Sequence, residues 1–250
     1  MGMFAGSYCG PAPDLAEIAS RWNFDPVLLA VLAAAITVAL RTGNRLAAAG
    51  VALLFVAFVS PLCAASVALF SARSVHHLLL IAAALAVSLV KGDRLPGCRT
   101  DLPWSVGLAT IAMTAVFWGW HVPALYDAAL ANMAVYWLMQ ITIFASSFAF
   151  WLAIRRANIV TAVGGLIVGM VQMGLLGAIL TFANRPLYAV HAIAAPSWGL
   201  SPTADQQIAG LIMWVGGMVP FALGGAMIAM HAWQRQAETD ASPVSGKNLA

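Results

Sequence analysis

Seven continuous apolar stretches occupy most of this chain and restrict what it can fold into. Each is close to the length that a helix needs to cross the hydrocarbon core of a bilayer, roughly 20 residues. The chain is 62% hydrophobic and only 8% charged, whereas water-soluble domains average about 25% charged residues. The sequence therefore predicts an all-α integral membrane protein, a bundle of seven transmembrane helices. The predicted spans are 25–40, 46–63, 74–90, 103–120, 132–153, 159–183 and 206–231.

The positive charges divide unequally between the two sides of these spans. One side holds three basic residues, which are Arg21, Arg73 and Arg185. The other side holds nine, which are Arg41, Arg45, Lys91, Arg94, Arg99, Arg155, Arg156, Arg235 and Lys247. Because loops rich in Lys and Arg stay in the cytoplasm, the amino terminus is predicted outside and the carboxyl terminus inside. The chain then comprises an extracytoplasmic segment 1–24, a membrane domain 25–231 and a disordered cytoplasmic tail 232–250.

The net charge of +3 comes from the cytoplasmic side, so it does not indicate nucleic-acid binding. The outer side carries more acidic than basic residues, and most of the histidines. An acidic rim of this kind suits a cation better than an anion. No catalytic triad, phosphate-binding loop or pair of carboxylates is recognisable, so the sequence gives no case for an enzyme.

Four histidines fall at or beyond the outer ends of their spans. Adjacent helical residues point about 100° apart, so one of His76 and His77 is expected to face the bundle and the other the membrane interface. His121 lies just before a proline that breaks the helix, which allows its ring to turn toward the bundle centre. His191 lies in the long outer loop 184–205, where a histidine is normally solvated and idle.

Acidic and sulfur-containing residues provide further candidate ligands. Asp205 opens span seven, where it is expected to cap its own helix or to act as a ligand or proton carrier. Met173 and Met213 are candidate thioether ligands, since thioethers with imidazoles favour Cu(I), although methionine is also an ordinary core residue. Cys9 and Cys63 can pair, bind a soft metal or do neither, and the last alternative is favoured because isolated buried thiols are common.

Span six contains Gly165 and Gly169, a pair of small residues at helical spacing. Such pairs allow helices to approach closely in lipid. The pattern predicts that this span packs inside the bundle.

Five local patterns, in their order and spacing, resemble one family. They are Ser60-Pro61-Leu62, Val75-His76-His77-Leu78-Leu79-Leu80, Trp120-His121-Val-Pro-Ala-Leu-Tyr-Asp-Ala-Ala-Leu130, Leu176-Gly-Ala-Ile-Leu-Thr-Phe182 and Asp205-Gln-Gln-Ile-Ala-Gly-Leu-Ile-Met-Trp214. Over roughly residues 22–231 the chain resembles the CtaG family of multi-spanning cytochrome c oxidase assembly factors, known from caa-type oxidases. The outer-face histidines of the family match His77 and His121, and its acidic start of span seven matches Asp205.

The resemblance implies a multi-pass protein of the bacterial inner membrane that is needed to make active haem–copper oxidase, through copper delivery or copper-centre formation. The expected partners are oxidase subunits, periplasmic copper chaperones and the lipid bilayer, with no nucleic acid. The chain departs from the family pattern at two positions. Arg73 stands where many members carry a further histidine, and Gln140 stands where another is common.

The leading hypothesis is a non-enzymatic assembly factor that binds or passes Cu(I) at the outer face. Its candidate metal-site residues are His76, His77, His121, Met173, Asp205, Met213 and Cys63. The missing imidazoles favour an alternative, a metal-free scaffold for oxidase subunits or chaperones. A small-molecule or ion transporter and a haem-binding protein are further alternatives.

Overall fold

A computed structural model describes residues 7–90 and 105–241, and every regular element in these ranges is helical. The helices are α1 (Pro26–Arg41), α2 (Arg45–Phe58), α3 (Leu62–Ala68), α4 (Phe70–Ser88), α5 (Val106–Trp120), α6 (Pro123–Ala131), α7 (Met133–Arg156), α8 (Ile159–Phe182), α9 (Ala189–Ala192), α10 (Pro202–Leu211) and α11 (Gly217–Ala241). Short 3₁₀ turns lie at Ile18–Ser20 and Ala195–Trp198, and a π-helical segment, Ile212–Gly216, joins α10 to α11. The prediction of an all-α chain is confirmed for this part of the sequence.

Among the described residues, four helices are long and apolar enough to cross a membrane: α4, α7, α8 and the continuous Pro202–Met230. The number rises to six if α2 with α3, bent by 47°, and α5 with α6, bent by 74°, each form one span. Helix α1 has 16 residues and rises about 24 Å, which is less than the roughly 30 Å of a hydrocarbon core. The chain is thus a multi-pass helical membrane protein, while seven spans and their orientation stay predictions.

The last helix extends beyond the predicted end of the membrane domain at residue 231. Helix α11 continues to Ala241, so the first ten residues of the predicted tail 232–250 are helical. The rest of that tail, and the connection between the third and fourth predicted spans, lie outside the described residues.

Short polar side chains cap the first turns of several helices. The Asp25 carboxylate accepts hydrogen bonds from the backbone N–H groups of Val27 at 2.8 Å and Leu28 at 3.2 Å, and Pro26 occupies the first helical position. Proline fits there because its missing N–H would be unpaired anyway. The Tyr8 hydroxyl donates to the same carboxylate and lowers the pKa of Asp25.

Breaks interrupt the helices at the end that carries the histidines. Helix α2 ends at Phe58, before Ser60-Pro61 and short of the predicted end of span two, and α3 follows at an angle. A single extended residue, Leu69, with φ −120° and ψ 135°, separates α3 from α4. The predicted break before Pro123 turns α6 away from α5. These interruptions bring short helices and turns into a region where a regular bundle would present only helix sides.

Helix α4 is the central helix, and α8 lies at the side of the bundle. In the membrane-length windows, 61% of the residues of α4 are buried but only 33% of those of α8. The prediction that span six packs inside the bundle is therefore wrong for most of this helix. Gly165 and Gly169 do mark close packing, since a Cβ at Gly165 would lie 2.8 Å from Ile154 Cδ1 and one at Gly169 would lie 2.6 Å from Phe221 Cε1. The opposite face of α8 carries exposed Ile167, Val171 and other apolar side chains, as expected of a surface that meets lipid.

The amino-terminal segment is tied onto the bundle by a disulfide bond between Cys9 and Cys63. The side chain of Asn23 also donates to the backbone carbonyl of Phe58 at 3.1 Å, and the Trp198 indole donates to the carbonyl of Pro13 at 3.0 Å. The favoured expectation of isolated thiols is wrong, because the turn at Ser60-Pro61 brings Cys63 beside the segment that carries Cys9.

The disulfide bond gives a direct test of this fold. Replacing both Cys9 and Cys63 by alanine should lower the free energy of unfolding by about 2–4 kcal/mol, because the bond closes a loop that restricts the unfolded chain. The measurement is unfolding of the purified protein in detergent, with Cys98→Ala as the control that leaves the pair intact. Peptide mapping of the oxidised wild-type protein that finds free thiols at both positions would contradict the pairing.

Candidate functional site

Four histidines from three separate segments of the chain are buried in one region. The exposed fractions are 0% for His76, 5% for His77, 7% for His121 and 3% for His191. The ring centroids of His77 and His121 are 6.3 Å apart, and those of His76 and His77 are 5.9 Å apart. The ring of Phe70 lies between His121 and His191, with its centroid 6.3 Å from that of His121 and 5.6 Å from that of His191. We call these four residues the histidine cluster.

Both adjacent histidines of α4 face the protein interior, so the expectation that one of them meets the membrane interface is wrong. His76 packs edge-on against Phe58 of α2 at 4.9 Å between ring centroids, whereas His77 faces the turn that carries His121. The physical reason is the central position of α4, which has neighbours on both of the faces that these two rings occupy.

Asp205 holds the start of α4. Its carboxylate accepts hydrogen bonds from the backbone N–H of Phe70 at 2.7 Å, from the N–H of Ser71 at 3.1 Å and from the Ser71 hydroxyl at 2.5 Å. Its own helix is capped instead by Ser201. Asp205 is therefore a helix cap, but the helix that it caps begins 135 residues away in sequence. Its carboxylate oxygens accept hydrogen bonds and are not directed at a metal.

Arg73 is a fully buried cation next to the histidine cluster, with 0% of its surface exposed. Its Nε donates to the Ser66 carbonyl at 3.1 Å, and its Cζ lies 5.4 Å from the centroid of the Tyr136 ring. The two terminal guanidinium nitrogens make no hydrogen bond of standard geometry within the described residues, but the guanidinium group interacts with the hydroxyl groups of Tyr126 and Tyr136. Neither Asp127 nor Asp205 forms a recorded ion pair with Arg73, since in 7–90 and 105–241 the recorded pair joins Arg21 to Glu17.

Gln140 extends this polar interior along α7. It lies one helical turn after Tyr136, and it is 2% exposed. Neither atom of its amide group has a hydrogen-bond partner within the described ranges. Arg73 and Gln140, the two positions at which the resemblance implied further histidines, are thus both buried polar residues.

Hydrogen bonds fix the orientation of the His121 ring. Its Nδ1 lies 2.7 Å from the carbonyl oxygen of Phe117, which can only accept, so Nδ1 carries the proton and Nε2 keeps its lone pair. The Tyr188 hydroxyl donates to the backbone carbonyl of His121 at 2.9 Å and holds the turn in place. On the facing helix, the Nε2 atom of His77 has no hydrogen-bond partner among the described residues.

The loop 184–205 closes over the cluster instead of lying in solvent. His191, expected to be solvated, is buried, and its Nε2 lies 2.7 Å from the Tyr126 hydroxyl. Burial, together with the charge of Arg73, lowers the pKa of His191 to about 3, so its ring is neutral at pH 7. The sequence signal for this burial is the apolar run of the loop around Tyr188 and Val190, both of which are buried.

The sulfur-containing candidates divide into two groups. Cys63 is joined to Cys9, so the oxidised protein offers no thiolate at this position. Met173 and Met213 are buried, and Met173 shares the lining of a cavity of about 10 Å³ with Phe117, the residue that binds the His121 ring. Within the part of the chain that the structure describes, no group of three or more His, Cys, Asp or Glu side chains could hold a metal ion. A metal would have to use fewer of these ligands, or thioethers beside them.

The sequence was compared with curated proteins, solved structures and models of protein families. No curated protein and no solved structure gives a significant match to the chain. A sequence model of the cytochrome c oxidase caa3 assembly factors (Caa3_CtaG) matches residues 40–236. The match covers more than half of the chain, includes the whole histidine cluster and confirms the resemblance found in the sequence. The chain therefore belongs to the CtaG family of cytochrome c oxidase caa3 assembly factors.

Proposed function

We propose that this protein assists the assembly of a cytochrome c oxidase in the bacterial inner membrane by binding Cu(I) between His77 and His121. Family membership supports the assembly role, and the distance between the two imidazole rings supports the copper role. Copper is the cargo in this proposal, passed between periplasmic copper chaperones and oxidase subunits, and the protein itself catalyses no reaction.

The spacing of the two rings is the observation that carries the copper proposal. A metal held about 2 Å from each of two imidazole nitrogens places the ring centroids roughly 6 Å apart when the nitrogens face each other. The observed separation is 6.3 Å between His77 and His121. Imidazole and thioether ligands suit Cu(I), and a two-nitrogen site does not need the larger ligand group that is missing from the described residues.

The hydrogen bonding of His121 also fits a ligand. Metal-binding histidines usually donate their second ring N–H to a carbonyl or carboxylate, which fixes the tautomer and orients the ring. His121 does so toward Phe117, and His77 has an unpartnered Nε2. His76 adds a third imidazole next to His77, and both of its nitrogens lack partners among the described residues.

The proposed site uses fewer ligands than the sequence suggests. Cys63 and Asp205 leave it, because one is in a disulfide bond and the other caps α4. Met173 and Met213 remain as possible sulfur donors, since both are buried and Met173 lies near the α5 end that carries His121. Burial of the whole cluster would exclude water and oxidants from the bound cargo.

The proposal predicts that the purified protein binds about one Cu(I) per chain. Replacing His77 and His121 together by alanine should reduce copper binding to less than about a tenth, because both nitrogen donors of the site are removed. Binding is measured by competition with a chromogenic Cu(I) chelator. His231→Ala provides a matched control, and unchanged binding in the double variant would rule out this site.

The second candidate function is a metal-free scaffold that holds oxidase subunits or chaperones. It is favoured by Arg73, whose buried positive charge lies near His77 and repels a cation. Two unit charges about 8 Å apart at an effective dielectric constant of about 20 repel by roughly 2 kcal/mol. A site built only for copper would be expected to lack such a charge.

Substitution of Arg73 separates the two candidates. If copper binds at the cluster, Arg73→Met should tighten Cu(I) binding by roughly 30-fold, the equivalent of about 2 kcal/mol, whereas Arg73→Lys should leave it near the wild-type value. The measurement is the same chelator competition, with co-purification of oxidase subunits as a second readout. Negligible copper binding by all three proteins, with subunit association retained, would instead establish the scaffold.

A further inference from the structure

A cavity of about 350 Å³ lies at the end of the bundle opposite to the histidine cluster, among α4, α7, α8 and α11. Its volume is in the range of small-molecule sites, roughly 300–1,000 Å³. The last part of α4 and the turn between α7 and α8 contribute to it, whereas the histidines belong to the first part of α4. Most of the lining is aliphatic: Leu85, Leu89, Ile154, Ile159, Met227 and Ile228.

Two polar side chains complete the lining. Arg155 is exposed at the rim, and one terminal nitrogen of its guanidinium group lies 3.4 Å from the Val90 carbonyl. Trp151 is 1% exposed, and its indole N–H has no hydrogen-bond partner among the described residues. The cavity therefore combines a positive charge at its edge, a buried donor without an acceptor, and apolar walls.

We propose that this cavity binds an anionic phospholipid, with the phosphate on Arg155 and one acyl chain along the aliphatic wall. Guanidinium groups pair strongly with phosphate oxygens, and an ester oxygen of the lipid would satisfy the N–H of Trp151. A protein that crosses a bilayer meets lipid at high local concentration. Basic pockets between transmembrane helices on the cytoplasmic side bind anionic headgroups, and the charge distribution predicts that Arg155 lies on that side.

The chemistry distinguishes this ligand from related amphiphiles. A zwitterionic phospholipid carries an amine that compensates its phosphate, so its attraction to Arg155 is weaker. A free fatty acid shares the anionic head and apolar chain but has no glycerol ester to accept a bond from Trp151. The site is separate from the histidine cluster, and the proposal does not depend on copper binding.

The test uses the full-length protein, purified in a neutral detergent and delipidated. Addition of phosphatidylglycerol should raise the midpoint of thermal unfolding by several degrees, because a ligand that binds only the folded state stabilises it, and native mass spectrometry should retain one such lipid per chain. Phosphatidylcholine and oleate should each give less than half of that shift. Equal shifts with all three, or a larger shift with oleate, would overturn the assignment.

Variants locate the effect in the cavity. Arg155→Gln should weaken binding of phosphatidylglycerol at least fivefold, and Leu89→Trp, which fills the cavity but leaves the charge in place, should do the same. Arg41→Gln removes an exposed cation from another helix and should leave binding unchanged. Wild-type binding in both cavity variants, or an equal loss in Arg41→Gln, would show that the lipid binds elsewhere.

Discussion

The hydrogen bonds from the start of α4 to Asp205 are the interaction on which the arrangement of the histidines depends. The break at Leu69 starts a new helix inside the protein, where its first N–H groups cannot reach water. Unpaired backbone groups are costly in a membrane interior, and helix starts leave several of them. A buried carboxylate satisfies the donors of Phe70 and Ser71 together and places its negative charge at the positive end of the helix dipole. His76 and His77 follow within two turns, so the position of their rings is set by this cap.

The same end of the bundle shows how an apolar chain can enclose a polar site. Breaks at Pro61, Leu69 and Pro123 replace continuous helix with short helices and turns. The loop 184–205 covers them with Tyr188 and His191. A π-helical segment follows Asp205 on its own helix, and such segments are frequent at functional sites. The result is a dry group of imidazoles, phenols and one guanidinium that a regular bundle of apolar helices would not accommodate.

Local signals in the sequence were sufficient for the class of fold and for several of its details. Length and hydropathy identify helices that can span a membrane, and the prolines at 61 and 123 mark real breaks. Asp25 caps the helix that it precedes, since capping depends only on neighbouring residues.

The sequence predicts the site less well because the contacts of the site join distant segments. The partner of Asp205 is 135 residues away, the partner of Cys63 lies in a segment of low hydropathy, and His191 is buried by a loop whose packing no periodic pattern encodes. The inward orientation of both His76 and His77 follows from the central position of α4, which the spacing of the two residues could not reveal.

Hydrogen–deuterium exchange at the start of α4 tests the role of Asp205 most directly. In the wild-type protein the amides of Phe70 and Ser71 should be protected, since the buried carboxylate binds both. In Asp205→Asn the peptide that covers this start should exchange at least tenfold faster, because one acceptor oxygen is replaced by an amide donor, while the middle of α8 keeps its protection. Unchanged exchange at Phe70 and Ser71 in the variant would contradict the claim that this cap organises the histidine cluster.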